Sequence, residues 1–168
     1  MKRLFICAAC LLILLGQAGA VIRNVPGQYS TIQAAVSACI PEDTVMVAAG
    51  TYDENITLTE GIFLIGAGAD SCVIDGGGRG NVIYGYEVSN IHIEGFTIRN
   101  SEQSGSSPGN IGIHLNPRSY SGIKTIRSCI VRNNGKGIDI WNDFGGTSYI
   151  EHNLIIDNLY DGFDPYLG

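Results

Sequence analysis

The chain has 168 residues, with ten Lys+Arg against sixteen Asp+Glu and a formal net charge of −6. That length suits one domain. The acidic balance disfavours nucleic acid and anionic membrane surfaces as partners, and an acidic polymer would need bridging cations.

Residues 1–20 have the layout of a secretory signal peptide. Met1-Lys2-Arg3 is basic, Leu4–Leu15 is apolar, and Ala18-Gly19-Ala20 offers small residues for cleavage. The run is too short to span a bilayer. The expectation is a secreted, periplasmic or cell-surface protein without membrane insertion. Cleavage removes Lys2 and Arg3 and leaves Cys39, Cys72 and Cys129. Export permits one disulfide, and a Cys39–Cys72 pairing stays open.

From Val21 the elements follow in order. Val21–Val25 reads as a strand ending at Pro26-Gly27. Ser30 stands three residues before Gln33, as in a capping box. Ile32, Ala35, Val36 and Cys39 follow at helical spacing, and Pro41 stops the helix. Residues 21–43 therefore form an N-terminal strand and capping helix. Thr44–Val47, Ile56–Leu58, Ile62–Ile65, Val73–Asp75, Val82–Tyr86 and Ile91–Ile98 read as strands. The clusters Gly66-Ala67-Gly68 and Gly76-Gly77-Gly78 read as turns, since neither precedes a helix.

Beyond Ile111 the sequence repeats. G-I-H-L at Gly112–Leu115, G-I-D-I at Gly137–Ile140 and G-F-D-P at Gly162–Pro165 are 25 positions apart. C-I-V-R-N at Cys129–Asn133 and L-I-I-D-N at Leu154–Asn158 keep the same step, with F-T-I-R-N at Phe96–Asn100 as an earlier copy. Such a period, with short strands and no helix between them, predicts a β-helix of parallel coils over residues 44–168. Cys129 shares an inward slot with Phe96 and Leu154, which predicts a buried thiol. Asn100, Asn133 and Asn158 would form an inward asparagine ladder, and Arg99, Arg132 and Asp157 an outward charged column. A polar insertion around Gln103–Gly109 would project beside His114.

Alternation along the strands sorts the faces. Ile113, Leu115, Ile138, Ile140, Phe163 and Pro165 point inward. Outward, His114, Asp139 and Asp164 stack in one column and Asn116, Trp141 and Tyr166 in the next, with Arg118 and Asp143 farther along. Stacked Asp139 and Asp164 would lie about 5 Å apart, near the carboxylate separation of retaining glycosidases. Like charges so close would split their pKa values into an acid and a base, with His114 as a further base. With Asp143 the same carboxylates would suit Ca²⁺. The plainer alternative is that these aspartates are solvated residues flanking glycine turns. Asn116, Trp141, Tyr166 and Arg118 would give sugar rings an aromatic platform with polar neighbours.

Three segments, Tyr29-Ser30-Thr31-Ile32-Gln33-Ala34-Ala35-Val36, Asp43-Thr44-Val45 and Gly50-Thr51-Tyr52-Asp53-Glu54-Asn55-Ile56, resemble the opening of the pectin-lyase-like superfamily. Within it they are similar to bacterial right-handed β-helix repeat proteins and pectin methylesterases. The resemblance extends over nearly all of residues 21–168 and implies an all-β, right-handed parallel β-helix with a capping helix. The catalytic motifs of the methylesterases and polygalacturonases are absent. Asp161-Gly162-Phe163-Asp164-Pro165-Tyr166 resembles the Tyr-Gly-Phe-Asp-Pro-His motif of alginate C5-epimerases. Gly162 to Pro165 match, which implies a catalytic position for Asp164; Asp161 and Tyr166 replace the motif's Tyr and His.

The sequence thus points to an exported β-helix protein that engages polysaccharide on one flat face. The alternatives are a lyase or C5-epimerase acting on uronate polymers, and a non-catalytic scaffold or adhesin. The third repeat falls close to Gly168, so the expectation is either a longer natural chain or self-association of the open end.

Overall fold

The computed structural model describes residues 19–103, 110–116, 122–141, 146–160 and 162–166, and only the backbone of Asp164, Pro165 and Tyr166. The proposed signal peptide up to residue 18, the insertion at 104–109, Arg118 and Asp143 lie outside the described residues.

Short β-branched runs punctuated by Gly and Asn give strands of two to six residues. In chain order these are β1 (Ile22–Val25), then α1 (Ile32–Ser37), β2 (Thr44–Val47), β3 (Gly50–Asp53), β4 (Ile56–Thr57), β5 (Phe63–Gly66), β6 (Cys72–Asp75), β7 (Ile83–Tyr86) and β8 (Ile91–Glu94). They continue as β9 (Thr97–Arg99), β10 (Ile111–Asn116), β11 (Ile123–Arg127), β12 (Ile130–Arg132), β13 (Lys136–Trp141), β14 (Thr147–Glu151), β15 (Leu154–Ile156) and β16 (Phe163–Tyr166).

All described pairings are parallel, and the strands fall into three sheets. The first sheet is β1-β2-β5-β8-β11-β14, the second β3-β6-β9-β12-β15 and the third β4-β7-β10-β13-β16. From β2 onward the chain visits the three sheets in rotation, an arrangement consistent with a parallel β-helix. Among the described residues no helix is long and apolar enough to cross a membrane.

The core lies between the sheets and is built from one inward residue above another. Ile83, Ile113 and Ile138 stack in the third sheet, while Leu64, Ile93 and Ile126 do so in the first. Each such side chain contributes about 1.5–3 kcal/mol by leaving water. Lys124, which the hydrophobic pattern does not flag, points into the same interior between Ile91 and Ser148, and burial pushes its pKa down.

The repeated glycines are there for space. A Cβ on Gly112 would lie 2.8 Å from the Gly137 carbonyl oxygen, from Asn134 Nδ2 and from Val131 Cγ1. The corners use left-handed residues instead: Ser128 and His152 turn the chain from the first sheet to the second, and Asn100, Asn133 and Asp157 turn it out of the second.

Several expectations are corrected. The N-cap is Thr31 rather than Ser30: its Oγ1 accepts from the Ala34 N–H at 3.1 Å. Gln33 does not complete a capping box, because its Oε1 accepts from the Thr57 N–H, and the Glu54 carboxylate takes the Ile32 and Gln33 N–H groups. The helix ends at Ser37, before Pro41, and buries Ile32, Ala35 and Val36 against β1, β2 and β4. Ile91–Ile98 is two strands, because Gly95 takes a positive φ between them.

The last step of the second sheet is 24 residues rather than 25. Ile130 pairs with Leu154 and Arg132 with Ile156. Leu154 therefore faces outward, 52% exposed, and the slot of Phe96 and Cys129 continues to Asn153. The inward ladder is Asn134 and Asn158, while Asn100 and Asn133 are corner residues. The outward column runs Asp75, Arg99, Arg132, Ile156, so Asp157 is not in it. Cys129 is a buried thiol as expected, and Cys39 and Cys72 are thiols rather than a disulfide.

Candidate functional site

The outer face of the third sheet collects the predicted residues in the predicted register. In β10 and β13, Ile113, Leu115, Ile138 and Ile140 turn inward, so the residues between and beyond them turn outward. His114 pairs with Asp139, and Asp139 with Asp164. Two residues along, Asn116 and Trp141 continue the same step, and Trp141 pairs with Tyr166. For Asp164 and Tyr166 the backbone fixes the position, and their side chains lie outside the description.

The strand below extends both columns with residues that the 25-residue repeat does not reach. Tyr84 lies under His114 and Tyr86 under Asn116. The Tyr84 and Tyr86 rings stack with centroids 6.4 Å apart at 21°. Tyr84 meets His114 edge-on at 5.4 Å, and His114 lies 6.4 Å from Trp141. Tyr86 is 56% exposed and Trp141 37%. The result is an aromatic shelf with open faces on Tyr86 and Trp141. The alternation in Ile83-Tyr84-Gly85-Tyr86 is the signal that places both tyrosines outward, but Tyr84 precedes His114 by 30 residues and so escapes the repeat.

Asp139 departs from the expected solvated carboxylate. It sits on the outward side of β13, yet is only 3% exposed. Lys136, one helix-like step back in sequence but on the same strand, brings its Nζ to 3.9 Å from Asp139 Oδ2. Among the described residues no group of three or more His, Cys, Asp and Glu converges as a metal site. The Asp143 and Asp164 oxygens invoked for Ca²⁺ lie outside the description.

His114 is poised differently from an ordinary surface histidine. Both ring nitrogens are buried, and neither has a hydrogen-bond partner among the described residues. Burial pushes its pKa below 6.5, Asp139 opposes that shift and Lys136 adds to it. At neutral pH the imidazole is therefore uncharged, with one nitrogen able to accept and the other to donate. A buried polar group left unsatisfied carries a desolvation cost.

The arrangement combines two open aromatic faces, an unsatisfied neutral imidazole and a shielded carboxylate–ammonium pair. Such a surface suits hydroxyl-bearing rings more than a bare ion. Compared with protein-family models and with curated proteins, the chain matches none.

Proposed function

We propose that this chain is an exported, right-handed parallel β-helix protein, similar to the pectin-lyase-like superfamily, that engages polysaccharide on the outer face of its third sheet. The observation that carries this reading is the paired columns of that face. Tyr84, His114 and Asp139 lie beside Tyr86, Asn116 and Trp141, in a register that continues to Asp164 and Tyr166. Sugar rings stack on Tyr86 and Trp141 while Asn116 meets their hydroxyls. Electrophoresis through gels containing neutral or acidic polysaccharides tests it. The wild-type chain is retarded by at least one polymer, and Trp141→Ala with Tyr86→Ala restores free migration. Equal retardation of the double variant would sink the reading.

A second reading, a lyase or C5-epimerase acting on uronate polymers, is favoured by the burial of Asp139 between Lys136 and His114. It requires new unsaturated-uronate absorbance or a changed epimer ratio, lost in His114→Ala and Asp139→Asn. Absence of product from alginate and pectin leaves binding alone.

A further inference from the structure

Four of the five described arginines are held by carboxylates: Arg23 by Asp43, Arg79 by Asp53, Arg99 by Asp75 and Arg127 by Glu94. Arg132 is the exception. Among the described residues it has no ion pair, and its Nε is buried with no hydrogen-bond partner.

The register explains why. The outward column of the second sheet runs Asp53, Asp75, Arg99, Arg132, Ile156. Asp75 is taken by Arg99 and by the Asn100 amide. The next rung offers Ile156 where a carboxylate would have paired Arg132, because the 24-residue step moves Asp157 onto the corner.

Arg132 borders a cavity of about 310 Å³, the lower end of the range for small-molecule sites. Ile130, Leu154 and Ile156 give it an aliphatic wall, and Asp70 and Asp157 line it as well. The guanidinium calls for a carboxylate, with which it forms strong, oriented hydrogen bonds. A simple anion would be repelled by the two aspartates, so the matching ligand also carries a cation. The aliphatic wall adds a requirement for a branched apolar group.

We propose that this cavity binds a small aliphatic zwitterion, such as a free branched-chain α-amino acid. Its carboxylate lies on Arg132, its ammonium faces Asp157, and its side chain packs on Ile130, Leu154 and Ile156. The site is on a different sheet from the aromatic shelf and does not depend on polysaccharide binding.

The test is a titration of the ¹⁵N-labelled full chain with L-leucine. It follows the Arg132 Nε–Hε signal and the Ile130 and Leu154 amides. L-leucine gives saturable shifts. 4-Methylpentanoate, which lacks the ammonium, and L-leucinamide, which lacks the carboxylate, each bind about tenfold more weakly or worse. Arg132→Gln removes the leucine response, and Asp157→Asn weakens leucine without weakening 4-methylpentanoate. Absence of saturable shifts with leucine overturns the proposal, as does equal binding of 4-methylpentanoate. The analogue comparison uses the unmodified chain and so decides the matter even if a variant folds poorly.

Discussion

Replacing Asn134 by Ala probes the device that ties the rungs together beneath the candidate site. Asn134 is fully buried, and its Oδ1 accepts from the Ser101 N–H at 3.0 Å. Its Nδ2 donates to the Ile98 carbonyl and to Asn158 Oδ1, each at 3.2 Å. One side chain thus ties its own rung to the rungs on either side. The two donated bonds contribute about 1 kcal/mol each, and stranding the buried Ser101 N–H costs about 1–3 kcal/mol more. Asn134→Ala should therefore destabilise the fold by about 3–5 kcal/mol. At a urea dependence of about 2 kcal/mol per molar, the unfolding midpoint falls by about 1.5–2.5 M. Urea titration followed by far-UV circular dichroism and by Trp141 fluorescence measures it. Because the Asn134 corner leads directly into β13, polysaccharide retention should weaken under the same conditions. A loss below about 1 kcal/mol with unchanged slope would refute the ladder argument.

Three other outcomes follow from buried titratable groups. The folded pKa of His114 is lowered, so between that value and about 6.5 the unfolded chain holds the extra proton; stability then falls as pH drops through this window, and His114→Gln removes that part of the slope in urea titrations at successive pH values. Burial alone would raise the Asp43 pKa, but the Ile40 and Val21 N–H groups and Arg23 outweigh it and hold the carboxyl low. Its contribution is complete above the unfolded value and is lost as pH falls through the folded one; Asp43→Asn, which breaks a buried pair, should cost about 3–5 kcal/mol at pH 7 and flatten the acid limb of the stability profile. Burial pushes the Cys129 thiol up to about 11, so a thiol reagent at pH 8 should modify half-buried Cys39 first and reach Cys129 only at the rate of unfolding, as peptide mapping of timed samples would show.

The third sheet was legible in the sequence because three glycine-led phrases keep one step, and the first two glycines answer a steric need. Gly112 and Gly137 sit where a side chain would strike the neighbouring rung, so the spacing of the letters follows the spacing of the backbones. The second sheet misled for an equally physical reason. Asn133 and Asn158 share a letter, but the left-handed corner accepts Asp as well as Asn. Asp157 takes the corner and Asn158 falls inward, a residue out of step. The burial of Asp139 was not legible either: alternation gives the direction of a side chain, not what lies over it. Here Lys136 belongs to the same strand, and its reach back to Asp139 is a matter of side-chain length rather than period.

The corners between the sheets differ in how much their length varies. From the first sheet to the second, residues 48–49, 95–96, 128–129 and 152–153 make two-residue turns in four rungs, and residues 67–71 make a five-residue one. Entry to the third sheet varies far more, with residues 133–135 in one rung and 100–110 in the rung before. Within a strand one added residue would invert every side chain that follows, so changes of length fall at the corners. The largest differences in length among the rungs fall at the border of the third sheet. Descendants of such a chain would diversify around Tyr86, His114 and Trp141 while inheriting the interior unaltered. The scaffold separates what evolution must keep from what it is free to rewrite.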